Sequence, residues 1–281
     1  MLKKRAITAL EGIPFLIAVI WFGEPWFTIV VAILGLLAAF EFYKMVAISK
    51  VSPLTYLGLI WTLLFILSPH FGYATLIPPL LTSAVVLSLI WLLLRRHKEE
   101  AFIDWAWTMV GILYIGLLLS YLVALRGGYH PLSITETADR NWVFLALFTT
   151  FASDTAAFFV GRALGKHRLA PRISPGKTWE GAIAGVFGAI IVSLLFTIPT
   201  PLQLPLTYWQ AILLGLLVSI FGQFGDLVES LLKRDMGVKE SGKLMPGHGG
   251  ILDRIDSVIF AGIVVYYYAL SYNAGWLDWL S

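Results

Sequence analysis

Residues 208–229 read YWQAILLGLLVSIFGQFGDLVE, and residues 230–256 continue as SLLKRDMGVKESGKLMPGHGGILDRID. The first stretch is an apolar run long enough to cross a bilayer. The second packs five Lys/Arg, one His and five Gly among several acids, in a chain that is 58% hydrophobic and 13% charged. An apolar chain has no packing reason to carry such a segment. It reads as a polar loop between two transmembrane helices, built for phosphates and a divalent cation.

The rest of the chain supports that frame. Soluble domains carry roughly 25% charged residues, about twice what is found here, and the mean hydropathy is +0.82. The expected fold is therefore all-α: a polytopic helical membrane protein forming a single integral-membrane domain over residues 1–281, with its catalytic part at about 150–260. Nine apolar segments can be placed, at about 8–23, 26–47, 54–69, 73–94, 103–125, 142–160, 181–198, 208–229 and 256–274. The first begins with a basic run like that of a signal peptide. Glu11 interrupts it and no small-residue cleavage site follows, so it reads as a retained span. Cysteine is absent, which excludes disulfides and thiolate metal sites.

Charge distribution sets the expected orientation. With nine spans, 18 of the 20 Lys/Arg fall on the side of the N-terminus, and only Arg126 and Arg140 fall on the other. By the positive-inside rule the N-terminus and the two longest basic loops face the cytoplasm. The expected location is the cytoplasmic membrane, with the site facing the cytoplasm.

Ionisable residues within spans are costly and are usually paired or functional. Glu11 and Glu41 stand alone on early spans and read as structural partners for polar groups on neighbouring helices. Asp154 lies about two turns before a basic loop. On span eight, Asp226, Glu229, Ser230 and Lys233 share one helical stripe by their spacing. Span nine opens with Asp253-Arg254-Ile255-Asp256. A bland account makes Asp253 a helix N-cap and Asp256 a residue of the first turn. The i, i+3 spacing also lets both converge on one ion, directly after a glycine-rich turn. Asp226, Asp253 and Asp256 together offer the all-oxygen ligation that Mg²⁺ prefers; a second cation stays open. The loop 161–181, GRALGKHRLAPRISPGKTWEG, adds Lys166, His167, Arg168, Arg172 and Lys177 among glycines and prolines, as an anion-binding turn does. SPGKT is no Walker A motif, because the first glycine is missing and no strand is expected before it. Acids for Mg²⁺ and two basic glycine-rich loops on an apolar body imply phosphoryl or nucleotidyl transfer at a membrane surface.

The run from Ser230, Lys233, Arg234 and Lys239 through Pro246, His248, Gly249 and Gly250 to Asp253, Arg254 and Asp256 resembles the signature of the phosphatidate cytidylyltransferases. So do Ser153-Asp154-Thr155, Ile173 to Thr178 with Glu180-Gly181, and Gly225-Asp226 with Glu229-Ser230. Glu240 stands where the family usually has Asp, and Met245 where Leu, Ile or Phe is usual. The resemblance covers the C-terminal half of the chain. It implies that CTP and phosphatidic acid react to CDP-diacylglycerol and pyrophosphate in an enzyme of phospholipid biosynthesis. Asp226, Asp253 and Asp256 would hold Mg²⁺. Lys233, Arg234, Lys239 and Arg254 would neutralise the triphosphate and the leaving pyrophosphate, with Ser230 beside them and Glu229 as a further metal ligand or base-side partner, and His248 would donate to a phosphate oxygen rather than merely pack in a glycine turn. Lys166, Ser174, Lys177 and Thr178 would take the lipid headgroup or help hold CTP, with Asp154 and Glu180 orienting those cations. The expected partners are the two substrates and the bilayer. No nucleic-acid partner is expected, and a homodimer is implied by the resemblance alone. Two other classes stay open on the residues themselves. One is another Asp-rich membrane transferase acting on CDP-alcohols or polyprenyl phosphates. The other is a transporter with an intramembrane carboxylate pathway.

Overall fold

A computed structural model describes residues 12, 14–71, 73–94, 101–127, 136–242, 244 and 249–280. Helices make up nearly all of it: α1 (14–22), α2 (Trp26–Ile48), α3 (Thr55–Leu67), α4 (Tyr73–Leu94), α5 (Ala101–Gly111), α6 (Leu118–Gly127), α7 (Glu136–Leu164), α8 (Trp179–Leu195), α9 (Tyr208–Asp235) and α10 (Leu252–Asn273). A π-helical turn, Ile112–Leu117, joins α5 and α6 into one apolar rod, Ala101–Gly127. Six helices are long and apolar enough to cross a membrane, and Thr55–Phe71 and Trp179–Leu195 are shorter apolar helices. These eight coincide with eight of the nine expected spans. Of the ninth, at about 8–23, residues 8–11 and 13, Glu11 among them, lie outside the described residues, and α1 (14–22) falls within the rest.

The surface is that of an integral membrane protein. On α8, Ile183, Phe187, Ile191 and Leu195 are exposed at a four-residue spacing, and α4 exposes Leu81, Leu87, Ile90, Trp91 and Leu94. Large apolar faces of this kind are stable only in an apolar solvent.

The chain divides into two compact units. The first runs to Ala124 and takes in Asp235–Arg254 again; the second takes in Leu125–Gly127, Pro131–Arg234 and Ile255–Ser281. In the first, α2, α3, α5 and the π turn pack together. Tyr43 lies against Gly58 and Gly111 and donates to the Thr108 carbonyl at 2.9 Å. Asp104 accepts from Ser52 N at 2.6 Å and Thr108 Oγ1 from Leu54 N at 2.8 Å, so the free N–H groups ahead of α3 find buried acceptors. In the second, α7 packs along α8 through a row of small residues. Ser153 and Ser219 hydroxyls meet at 2.7 Å, tying α7 to α9, and Ser193 Oγ donates to Ala211 O at 2.7 Å, tying α8 to α9.

One expectation is corrected. Ser174–Thr178 is a strand, β2, paired antiparallel with β1, Arg168–Ala170, in the register Arg168↔Thr178 and Ala170↔Ser174. The hairpin feeds directly into α8. Thr178 Oγ1 caps that helix by accepting from Gly181 N at 3.2 Å, and Trp179 N donates to His167 O at 2.9 Å. The first glycine of a Walker A loop is still missing, so the strand does not convert SPGKT into a P-loop.

A close helix approach lies beside the acids. A Cβ on Gly225 of α9 would stand 2.6 Å from the Asp256 carbonyl of α10 and 3.0 Å from the Phe260 ring. Backbone on one side and an aromatic ring on the other leave no room for a side chain. Gly225→Ala is therefore expected to cost roughly 1–3 kcal/mol through forced separation of α9 and α10. The apparent melting temperature in detergent should fall by several degrees. Turnover should fall with it, because Asp226 and Asp256 sit on the two helices being pushed apart.

Candidate active site

In the second unit, three carboxylates and two lysines come together from four elements. Asp226 on α9 is the hub. Its Oδ2 pairs with Lys177 Nζ of β2 at 2.7 Å, and its Oδ1 accepts from Ser230 Oγ, one turn on, at 3.3 Å. Asp226 acts electrostatically on both Asp154 of α7 and Asp256 of α10; Lys177 acts on Asp154 and Lys233 on Asp256. Asp256 is buried, and its Oδ1 accepts from Ser257 N at 2.8 Å. Like charges this close are tolerated only beside cations.

The same face of α9 carries a second pair. Glu229 is fully buried and ion-paired with Lys233, four residues on. The hairpin is held in place at both of its sides. Arg234 Nε donates to Ile173 O at 3.1 Å, and Arg168 Nη1 donates across the hairpin to Pro175 O at 2.8 Å. His167 Nδ1 meets Glu180 Oε1 at 2.7 Å, a contact with a loop residue other than the lysines that Glu180 is expected to orient. The expected one-stripe arrangement of Asp226, Glu229, Ser230 and Lys233 is present, but its two acids take different cations, one local and one from the hairpin. That second cation, Lys177, lies 49 positions away and no spacing rule points to it.

The other expected residues are placed as follows. Lys166 is exposed just after α7, and Ser174 opens β2 opposite Ala170. Thr178 is the N-cap of α8, with its hydroxyl oxygen committed to Gly181. Lys239 and Glu240 are exposed in the first unit, as is Arg254 on the first turn of α10. Asp253 also belongs to the first unit. Its Oδ2 accepts from Gly250 N at 2.9 Å and Ser241 N at 3.0 Å. Because α10 begins at Leu252, Asp253 is not the N-cap but a first-turn acid reaching back to the preceding loop. His248 and Met245 lie outside the described residues.

The donor set suits a hard divalent cation, since every candidate ligand is a carboxylate oxygen. Among the described residues no group of three or more His, Cys, Asp or Glu stands close enough to share one ion. That is compatible with Mg²⁺, which usually takes one or two carboxylates and completes its octahedron with water and substrate phosphates.

The comparisons with known proteins bear on the whole chain. A sequence profile of the cytidylyltransferase family matches residues 3–272. The chain belongs to that family. A Bacillus subtilis protein named phosphatidate cytidylyltransferase is 35% identical over 271 residues, covering 95% of this chain and 97% of its own length. A Synechocystis protein of the same name is 34% identical over 297 residues, covering 96% of this chain and 97% of its own. The chloroplastic phosphatidate cytidylyltransferase 5 of Arabidopsis thaliana is 36% identical over 289 residues, covering 94% of this chain and 71% of its own. The family match reaches into the N-terminal half, beyond the C-terminal half that carries the motif resemblance.

Proposed function

We propose that this protein is a phosphatidate cytidylyltransferase, converting CTP and phosphatidic acid to CDP-diacylglycerol and pyrophosphate at the cytoplasmic face of the inner membrane. The observation that carries the reading is the convergence of Asp154, Asp226 and Asp256 with Lys177 and Lys233 in a membrane protein of the cytidylyltransferase family. Such a cluster holds both the cations that bind phosphate and the acids that bind a divalent metal.

In the proposed reaction a phosphate oxygen of phosphatidate attacks the α-phosphorus of CTP in line. The new O–Pα bond forms as the Pα–O bond to the β-phosphate breaks, and pyrophosphate leaves with its electron pair. The attacking phosphate is already ionised at neutral pH, so the site needs no strong general base. Lys233, Arg234, Lys239, Arg254 and His248 neutralise the triphosphate and the leaving pyrophosphate. Lys177, Lys166, Ser174 and Ser230 hold the second phosphate near the α-phosphorus. Asp226 and Asp256 are the proposed carboxylate pair for Mg²⁺, and Asp253, three residues before Asp256, is the alternative ligand on the loop side; when bound, the ion would supply charge neutralisation on the phosphates. Glu229 keeps Lys233 in register, and Asp154 shares that role for Lys177. The acyl chains stay in the bilayer and reach the site sideways between helices. A homodimer is part of the proposal through family resemblance only.

The test uses purified protein in detergent with phosphatidic acid, Mg²⁺ and CTP labelled with ³²P at either the α or the γ position. The expected result is α label in the lipid phase and γ label released as pyrophosphate. Absence of lipid-phase label from either, in folded protein, would sink the synthase reading in favour of another transferase or a transporter.

A further inference from the structure

Glu41 sits two turns before the end of α2, an apolar helix, and only 3% of it is exposed. Neither Lys nor Arg is paired with it among the described residues. Its partners instead come from a stretch about 200 residues further along. Oε2 accepts from Leu252 N at 3.1 Å and from Ser241 Oγ at 3.3 Å. These two donors stand at the two ends of the stretch that leads into α10. Asp253 closes the same neck from the other side, taking Ser241 N at 3.0 Å and Gly250 N at 2.9 Å on one oxygen. Further down the chain, Ser49 at the end of α2 donates its hydroxyl to Met236 Sδ at 3.1 Å, so α2 holds the start of this segment as well.

The glycines at the neck are explained by the carboxylate. A Cβ on Gly242 would stand 2.2 Å from Glu41 Oε1, and one on Gly250 would stand 2.5 Å from Glu41 Oε2 and 2.0 Å from Ser241 Oγ. Backbone on both sides of the loop is thus pressed against one buried carboxylate. A carboxylate in an apolar helix is expensive to bury, and its worth must lie in what it holds. What it holds is the first backbone N–H of α10, one residue before Asp253.

We propose that Glu41 is a positioning residue for the reaction: its carboxylate clamps Ser241 and Leu252, closes the neck of the loop, and so sets where α10 begins and where Asp253 stands. This rests on the cytidylyltransferase reading for its functional consequence and not for the clamp itself. Displacing a reacting or metal-binding group by about 1 Å costs on the order of 100-fold in rate, so a hydrogen-bonding residue remote from the chemistry can control it.

The experiment combines label transfer from CTP with hydrogen–deuterium exchange of the full chain in detergent, read on peptides spanning residues 241–252. Glu41→Ala should speed exchange in those peptides while helices away from the loop keep their protection, and should lower turnover roughly 10- to 100-fold. Glu41→Gln should restore most of both, because its amide oxygen accepts the same two hydrogen bonds. Ser241→Ala, which removes one donor and leaves that of Leu252, should shift both readouts in the same direction by less. It serves as the test if Glu41→Ala does not fold. Wild-type turnover and wild-type loop exchange in the alanine variants would overturn the proposal. So would a Glu41→Gln variant as inactive as Glu41→Ala with its loop still protected, which would assign the charge itself a direct part. If the wild-type protein transfers no label, the functional reading fails, and loop exchange alone still decides the clamp.

Discussion

Asp256→Asn is expected to abolish cytidylyl transfer, by at least about a thousandfold, while leaving the protein folded. Removing one carboxylate from a divalent-metal and phosphate site forfeits several kcal/mol of charge stabilisation, and about 1.4 kcal/mol is a factor of ten in rate. The fold should survive because asparagine has the same shape. Its side-chain oxygen can still accept from Ser257 N, the contact that Asp256 Oδ1 makes at 2.8 Å. The variant also replaces an acid that stands buried beside two others, Asp226 and Asp154. Its melting temperature should therefore be unchanged or raised. Activity and stability moving in opposite directions is the signature of an acid kept for chemistry. If Asp256 merely served the start of α10, as its place in the first turns allows, activity would be retained. Wild-type turnover in folded Asp256→Asn would remove it from the metal site. Binding of Mn²⁺, followed by its spectroscopic signal, provides a check that does not depend on turnover.

The membrane class was legible because hydropathy is a one-dimensional property. A run of apolar residues longer than a bilayer needs no partner to identify it, and the eight described spans fall where apolar runs were placed. Local helix chemistry was legible for the same reason. The stripe Asp226, Glu229, Ser230 and Lys233 follows from 3.6 residues per turn, and the contacts Ser230–Asp226 and Lys233–Glu229 are both i, i+4.

What escaped was set by pairing across sequence distance. Ser174–Thr178 contains Pro175 and Gly176, which lower strand propensity, and its partner β1 is three residues long. Only the tight connection through Pro171, Arg172 and Ile173, with the Arg168–Pro175 hydrogen bond across it, makes the strand. Glu41 looked solitary because its partners lie at Ser241 and Leu252, and nothing in the periodicity of α2 announces them. Asp253 offered two readings on its spacing alone. The structure shows one of its oxygens engaged with two loop N–H groups, those of Ser241 and Gly250. Thr178 carried a motif reading, and its hydroxyl turned out to be spent on a helix cap.

Lys177 is the residue through which the hairpin and the acids communicate, and its loss should be the second-largest effect. Lys177→Ala removes the ammonium 2.7 Å from Asp226 Oδ2 and leaves that carboxylate with Ser230 Oγ as its remaining side-chain hydrogen-bond partner among the described residues. Turnover is expected to fall about a hundredfold, the usual loss when one preorganised charge-stabilising donor is removed. Lys177→Arg should recover only part of this. A planar guanidinium fork does not reproduce a point charge on a flexible stem, even though both carry a full positive charge. The decisive measurement is a double-mutant cycle with Asp226→Asn. If the pair acts as one unit, the double variant should be little worse than either single one, because the first change has already destroyed what the second would remove. Additive losses would mean that Lys177 and Asp226 serve separate phosphates or ions and that their contact has no consequence for the reaction. Non-additive losses would tie the SPGKT strand, whose function its own motif could not reveal, to the acid on α9.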